Sequence, residues 1–189
     1  MKKFKDKKKL NYFANNFMNE SMKFKYSYKF DWLSRPIIQY PQDIIAMQEI
    51  IWKVKPDLII ETGIAHGGSL IFSASMLAMI DYCESIKNKK RINVNKRKVV
   101  GIDIDIRKHN KIALDKHPLR KKITLIQGSS IDQRIYTEVK KITKKYKKIM
   151  LFLDSNHTHD HVLKELELYS KFVSKGSYCV VFDTVIEDL

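Results

Sequence analysis

The sequence has few of the residues that crosslink or break a polypeptide chain. Its 189 residues include two cysteines, six glycines and four prolines. Cys83 and Cys179 form no CxxC pair, so we expect two buried thiols rather than a disulfide or a metal site. The longest apolar stretch, residues 70–80, is shorter than the roughly 20 residues that span a bilayer. Polar residues interrupt the apolar segment that a signal peptide needs, and these absences predict a cytoplasmic protein without a membrane span.

Arginine is also scarce, although the formal net charge is +15. Only six of the 36 basic residues are arginine, the side chain favoured for bidentate phosphate contacts and base recognition. The densest lysine clusters, residues 2–9 and 87–98, fall in a terminal tail and in a predicted loop. The charge therefore favours solubility or weak attraction to polyanions over a nucleic-acid partner, and a nucleic-acid-binding function is kept as the alternative.

The residue pattern changes near position 30. Residues 1–30 are basic and rich in asparagine, with scattered aromatic residues and no clean period. We interpret them as an arm that packs on the body of the protein or on another subunit of a homo-oligomer. Residues 31–189 form the predicted domain, and the total length suits one domain with one core.

Helical and apolar segments alternate beyond Pro41. Helical periodicity marks residues 41–55, 67–85, 107–117, 132–145 and 162–173. Short apolar runs occupy residues 58–61, 98–103, 123–126, 149–153 and 178–182. This order predicts an α/β fold with a Rossmann-like, mostly parallel sheet that is flanked by helices. Right-handed crossovers bring the carboxyl ends of the strands to one edge, where ligands of open sheets bind.

The first predicted strand leads into a glycine-rich turn, Glu61-Thr-Gly-Ile-Ala-His-Gly-Gly-Ser69. Glycine lets the backbone turn tightly and approach a ligand, and the amino end of the following helix offers free N–H groups. The acid before the first glycine would repel a pyrophosphate but tolerates the cationic end of S-adenosylmethionine. A turn that serves helix packing is the alternative. The candidate cofactor-binding residues in this turn are Glu61, Gly63, His66, Gly67, Gly68 and Ser69.

The next two strand ends supply further candidates for cofactor binding. Asp103 ends the second strand, and its carboxylate suits the two ribose hydroxyls of an adenosine cofactor. Capping of the following helix, by Asp103 or by Asp105, is the alternative. The third strand leads into the polar turn 127–130, where Ser129 is positioned to meet the adenine or to cap the next helix.

The segment after the fourth strand, Asp154-Ser-Asn-His-Thr-His-Asp-His161, is the richest in chemically active side chains. It resembles the HxHxDH zinc motif of metallo-β-lactamases but lacks one residue between the second histidine and the aspartate, which excludes that site. His161 falls in the first turn of the next helix, where a structural or surface role is expected. Asp154 and Asp183, at neighbouring strand ends, form with His157 or Asn156 an oxygen-rich site suited to Mg²⁺. Two solvated acids that cap loops are the alternative.

Five segments together resemble the cephalosporin hydroxylase family, which despite its name has the Rossmann-like methyltransferase fold and includes rhamnosyl O-methyltransferase relatives. These segments are residues 61–69, 101–105, 127–130, 153–162 and 176–184, and the resemblance covers residues 31–189. It implies S-adenosylmethionine near Glu61, Gly63, Gly67, Ser69 and Asp103. It also implies a divalent metal held by Asp154 and Asp183.

Two features depart from this family's pattern. Some members carry an acidic pair at the end of the fifth strand, whereas the first position here is Phe182. The common methyltransferase sheet has seven strands, whereas this chain ends after the fifth predicted strand. The sheet is therefore expected to lack its last strands, the domain to be truncated at its carboxyl end, and methyl transfer by these 189 residues to be impaired.

The resemblance and the residues together predict an enzyme. The expected activity is S-adenosylmethionine-dependent O-methylation of a hydroxyl on a sugar, a glycan or another small molecule, assisted by a divalent metal. Asp154 would hold the metal, and His157 would act as the general base. An iron hydroxylase is disfavoured because no 2-His-1-carboxylate set has suitable spacing. A nucleic-acid methyltransferase or binding protein and a non-catalytic Rossmann module are the alternatives.

Overall fold

A computed structural model describes residues 7–184, so the first six and last five residues of the predicted arm and domain lie outside it. Its helices are α1 (Lys7–Lys23), α2 (Pro41–Val54), α3 (Gly68–Asn88), α4 (Lys108–Lys116), α5 (Gln133–Thr143) and α6 (His159–Tyr169). Its strands are β1 (Phe30–Trp32), β2 (Arg35–Ile37), β3 (Leu58–Thr62), β4 (Lys98–Asp103), β5 (Ile123–Gln127), β6 (Ile149–Leu153) and β7 (Cys179–Val181). Beyond Pro41, each helix and strand overlaps the segment that the sequence predicted for it.

The central sheet has five parallel strands in the order β5-β4-β3-β6-β7. The chain builds outward from β3 to β5 and then returns to the other side of β3 with β6 and β7. This reversal makes the gap between β3 and β6 the topological switch point, where open α/β sheets bind their ligands. The predicted Rossmann-like fold is therefore confirmed.

Helices cover both faces of this sheet. Every residue of β3 and of β6 is buried, as expected for central parallel strands. Alternate residues of β3 point to opposite faces: Ile59 joins a core cluster with Phe72 of α3, and Ile60 joins a second cluster with Val139 of α5 and Tyr169 of α6. The carboxyl edge of the sheet is thus held between two packed layers.

Helix α3 is longer than the apolar stretch 70–80 noted in the sequence. Within residues 7–184 it is the helix that has the length and apolar composition of a membrane span. Half of this stretch is buried inside the domain, where α3 packs on β4, on α2 and on both strands of the β1–β2 hairpin. A core helix of an α/β domain can have the same length and apolar composition as a membrane span. The packing of α3 is that of such a core helix.

The amino-terminal segment contains a helix, α1, where the sequence showed no period. Most of its apolar side chains are exposed, Leu10 and Phe13 among them, so it lacks the wide apolar stripe by which helices are recognised. Its carboxyl end is held by aromatic contacts, in which the Phe17 ring meets the rings of Tyr26 and Tyr40 edge-on. The role of residues 1–30 as an arm stays a prediction.

A short antiparallel hairpin of β1 and β2 covers the start of α3. The approach is close: a Cβ atom on Gly68 would lie 2.2 Å from the carbonyl oxygen of Pro36. Trp32 adds an indole N–H that donates to Ser75 Oγ at 3.0 Å, and its ring packs edge-on against Phe72. This hairpin therefore fixes the amino end of the helix that follows the glycine-rich turn.

Candidate active site

A cavity of about 200 Å³ opens at the carboxyl edge of the sheet, beside the switch point. Gly63, Asp103 and Ser129, all predicted as cofactor-binding residues, line it. The other lining residues, which the sequence analysis did not assign to the cofactor, are Ile102, Ile104, Ser130, Ser155, Asn156 and His161. Small-molecule sites usually enclose about 300–1,000 Å³, so this cavity would enclose only part of a ligand.

Gly63 connects the cavity to the end of β6. Its backbone has a φ of +86°, in the left-handed region that glycine tolerates best, and its N–H donates to the carbonyl oxygen of Ile102 at 2.8 Å. A Cβ atom here would lie 1.9 Å from the carbonyl oxygen of Asp154. Both the turn and the close approach of the two backbones therefore require glycine.

Asp103 binds the glycine-rich turn through its carboxylate. Oδ2 accepts hydrogen bonds from the N–H groups of Ile64 at 2.7 Å and Ala65 at 3.2 Å, and Oδ1 accepts one from the N–H of Asp105 at 3.0 Å. Helix α4 begins beyond Arg107, which is its N-cap, so neither acid caps that helix. A carboxylate has about four lone-pair positions, and ribose binding by Asp103 stays a prediction.

Arg35 and Asn110 clamp the same turn from outside. Arg35 donates to the carbonyl oxygen of His66 through Nε at 3.0 Å, and to Asn110 Oδ1 through Nη2 at 3.0 Å. Asn110 in turn donates from Nδ2 to the carbonyl oxygen of Ala65 at 2.9 Å. The sequence analysis missed both residues because β2 and α4 are remote from the turn along the chain. The predicted residues His66, Gly67 and Gly68 lie at the start of α3, outside the lining of the cavity.

Glu61 lies beneath the turn, between β3 and α3, rather than in the lining of the cavity. Its side chain accepts hydrogen bonds from the hydroxyls of Ser69 and Ser73, and the residue is 2% exposed. Burial raises the pKa of Glu61 to about 7, against the lowering effect of the two serine hydroxyls. Direct contact of Glu61 and Ser69 with a cofactor stays a prediction.

The raised pKa of Glu61 predicts a pH-dependent free energy of unfolding. Because the folded protein binds this proton more tightly than the unfolded chain, stability falls as the pH rises from 4.5 to about 7. In the unchanged protein this proton makes the free energy of unfolding on the order of 3 kcal/mol larger at the acidic end of that window than at the other end. Glu61→Gln should remove this difference. Urea unfolding on either side of the window measures it. Equal pH dependence in the variant and the unchanged protein would contradict the assignment, because the change removes both the titrating carboxyl of Glu61 and the charge that raises the pKa of Asp154.

Asp154, His157 and Asp183 come together where β6 and β7 end. One potential ligand atom from each lies within 4.8 Å of the others. His157 Nε2 is 3.5 Å from Asp183 Oδ2, and Asp183 has a φ of +53°, a strained value for a residue other than glycine. The structure thus brings together the residues that the sequence analysis assigned to catalysis and to the metal.

Gln39 holds Asp154 from the other side. Its Nε2 donates to Asp154 Oδ2 at 2.8 Å, and the residue is 5% exposed. The pKa of Asp154 is raised well above its ordinary range, first by burial and then by the negative charges of Asp183 and Glu61. A divalent cation would relieve this repulsion, and carboxylate oxygens are ligands that Mg²⁺ accepts. The donor set therefore fits a metal ion.

Phe182, the residue that departs from the acidic pair of related sequences, contributes no ligand. Its ring packs edge-on against Phe152, with 5.8 Å between the ring centres, and lies partly buried against the core cluster that includes residues of α2 and α3. The end of β7 therefore offers the carboxylate of Asp183 without a second acid next to it.

A second polar cluster lies in the cavity wall around His161. Its Nε2 is 3.1 Å from Ser130 Oγ, 3.3 Å from Ser155 Oγ and 3.4 Å from Glu165 Oε1. The sequence analysis correctly placed His161 in the first turn of the next helix but expected a structural or surface role. The expected surface role is wrong, because the first turn of α6 faces the loop after β5 and His161 lines the cavity.

Solved structures of methyltransferases share this fold. The structure of CalS11, a TDP-rhamnose 3'-O-methyltransferase, aligns with a TM-score of 0.60 and 14% identity over 90% of this chain and 70% of CalS11. A CmcI structure with SAH aligns with a TM-score of 0.57 and 18% identity over 85% of this chain and 69% of that one. These likenesses define the fold as that of a Rossmann-like methyltransferase.

The sequence defines the family. The pattern of the rhamnosyl O-methyltransferase/CmcI family matches residues 24–189, and the chain belongs to this family. The rhamnosyl O-methyltransferase of Mycobacterium tuberculosis (strain ATCC 25618 / H37Rv) is 30% identical over 146 residues, which are 76% of this chain and 52% of the relative. That of Mycobacterium leprae is 27% identical over 154 residues, 81% of this chain and 59% of the relative. The chain thus spans about half the length of these relatives, and the predicted family resemblance is confirmed.

Proposed function

We propose that this chain is the cofactor-binding part of an S-adenosylmethionine-dependent O-methyltransferase that acts on a sugar hydroxyl with the help of a divalent cation. The observation that carries the proposal is the position of Asp154, His157 and Asp183 beside the cavity that Gly63 and Asp103 line. Related structures support it: CmcI was solved with SAH, and the MycE methyltransferase, with a TM-score of 0.50 and 18% identity, was solved with Mg and SAH.

The residues of the proposed site form two groups at different positions along the sheet edge. Gly63, Asp103 and Ser129 would hold the adenosyl group, since they line the cavity at the ends of β3, β4 and β5. Asp154 and Asp183 would hold the cation at the ends of β6 and β7. The reacting methyl group would then lie between the two sets, next to His157.

S-adenosylmethionine supplies an activated methyl group on its sulfonium, and a bound cation lowers the pKa of the acceptor hydroxyl. His157 would accept the proton of that hydroxyl as its oxygen forms a bond to the methyl carbon and the carbon–sulfur bond breaks. Asp183, 3.5 Å away, would orient the imidazole and stabilise it once it is protonated. Gln39 would keep the Asp154 carboxylate in a fixed orientation.

A second cavity, of about 300 Å³, reaches Asp183 from the side of α1 and is the proposed site of the acceptor. Tyr28, Tyr40 and Gln39 are among its lining residues. Aromatic faces combined with a few polar groups suit a deoxysugar such as a rhamnosyl unit. A glycan or a small glycosylated molecule is therefore the proposed partner.

Calorimetric titration with S-adenosylmethionine, with and without Mg²⁺, tests the proposal. We expect saturable binding of the cofactor and of the cation. Binding of neither would favour the non-catalytic Rossmann module. Affinity for RNA or DNA that falls steeply with salt, without cofactor binding, would favour the alternative based on the +15 charge.

A further inference from the structure

His161 lies in the wall of the proposed cofactor cavity and contacts the loop after β5. It lines the cavity together with Asp103, Ser129 and Ser130, and its side chain is 18% exposed. In the proposed arrangement, the reactive end of the cofactor would face Asp154 at the end of β6, and its ribose would lie at Asp103 at the end of β4. The adenine would then lie toward the loop after β5, where His161 contacts Ser130 at 3.1 Å.

Within residues 7–184, the polar contacts of the His161 ring are made by Nε2. Nε2 faces Ser130 Oγ, Ser155 Oγ and Glu165 Oε1, at 3.1 to 3.4 Å. Within residues 7–184 the structure shows no protein partner for Nδ1. One ring nitrogen in the cavity wall is therefore available to a ligand.

Glu165 determines whether Nδ1 of His161 donates or accepts a hydrogen bond. The residue is 1% exposed, its Oε1 accepts a hydrogen bond from Ser155 Oγ at 2.7 Å, and its Oε2 has no partner among the described residues. A buried carboxylate only accepts hydrogen bonds, so it favours a proton on the facing Nε2. In the neutral ring Nδ1 then carries the lone pair and acts as an acceptor.

We propose that His161 recognises the adenine of the cofactor by accepting a hydrogen bond at Nδ1 from the 6-amino group, and that Glu165 is the positioning residue that fixes this tautomer. The inference rests on the proposed cofactor. It explains why the buried carboxyl group of Glu165 lies behind the wall of this cavity. Hypoxanthine presents an acceptor oxygen where adenine presents the amino donor, so the site should reject it.

Binding of S-adenosylhomocysteine and S-inosylhomocysteine, which differ in this one group, tests the inference. Calorimetry should show at least about tenfold tighter binding of the adenine compound to the unchanged protein. His161→Phe should reduce this preference to within about twofold, because the ring keeps its bulk but loses the acceptor. His109→Phe, which removes an exposed imidazole on α4, should leave the preference intact.

The tautomer gives a second readout that needs no variant. Correlation of ring protons with ¹⁵N in the unchanged protein should show His161 protonated at Nε2 and unprotonated at Nδ1. A proton on Nδ1, or a base preference that survives in His161→Phe, would overturn the inference while leaving the proposed function intact. Failure of the unchanged protein to bind S-adenosylhomocysteine would instead overturn the proposed function and this inference with it.

Discussion

Asp154→Asn should weaken the binding of Mn²⁺, used as a spectroscopic substitute for Mg²⁺, by more than about 100-fold. Loss of an outer-shell partner alone typically costs about 10–100-fold in metal affinity, and this change removes the charge of a ligand itself. Methyl transfer should fall roughly 10²–10³-fold in kcat/KM, as expected when several kcal/mol of stabilisation by a metal is lost. Titration of Mn²⁺ followed by electron paramagnetic resonance measures the affinity.

Asp160→Asn provides the matched control for this change. Asp160 lies six positions further along the chain, in the first turn of α6, and is exposed. The control should bind Mn²⁺ as the unchanged protein does. Equal affinity of all three proteins would show that Mn²⁺ binds elsewhere, and the role of Asp154 as a ligand would be wrong.

Gly63→Ala should destabilise the protein by about 3 kcal/mol or more and abolish cofactor binding. An alanine at this position would be strained by the backbone φ of +86°. Its methyl group would also overlap the carbonyl oxygen of Asp154, at a distance of 1.9 Å. Either β3 and β6 separate at the switch point or the turn changes shape. Urea unfolding measures the loss of stability, and titration with S-adenosylhomocysteine measures the loss of cofactor binding.

Gly176→Ala separates backbone strain from the close approach. Gly176 has a φ of +78°, but a Cβ atom there would have no neighbour within 4 Å. Its replacement should therefore cost only about 1–2 kcal/mol, the usual penalty for a left-handed conformation, and leave cofactor binding unchanged. If both alanine variants lost the same stability, the contact between Gly63 and Asp154 would carry no special cost.

The parallel sheet could be predicted because its strands are short, apolar and separated by helices of clear period. Every position of β3 and β6 is buried, so these strands read as continuous apolar runs. The hairpin of β1 and β2 has only three residues in each strand, too few to show an alternation. Helix α1 is stabilised by aromatic contacts with residues outside it, which its own sequence does not reveal.

The site was predictable where residues follow strand ends. Parallel strands bring their carboxyl ends to one edge, so Asp154 and Asp183 could be placed together without coordinates. Gln39 and Asn110 were missed because neither directly follows a strand of the central sheet: Gln39 lies in the loop between β2 and α2, and Asn110 lies within α4. The same edge rule led to the prediction that Glu61 binds the cofactor. Its carboxyl is turned toward Ser69 and Ser73, and contact with the cofactor stays a prediction. The cytoplasmic location stays a prediction.

A crystal structure of the protein with S-adenosylhomocysteine and Mn²⁺, with the ion located by its anomalous scattering, tests the account most directly. We predict the adenosyl group against Gly63, Asp103 and Ser129, and the ion between Asp154 and Asp183. An ion bound away from both carboxylates, or a nucleoside in the apolar groove between α3 and α4 that Met79 and Ala113 line, would contradict it.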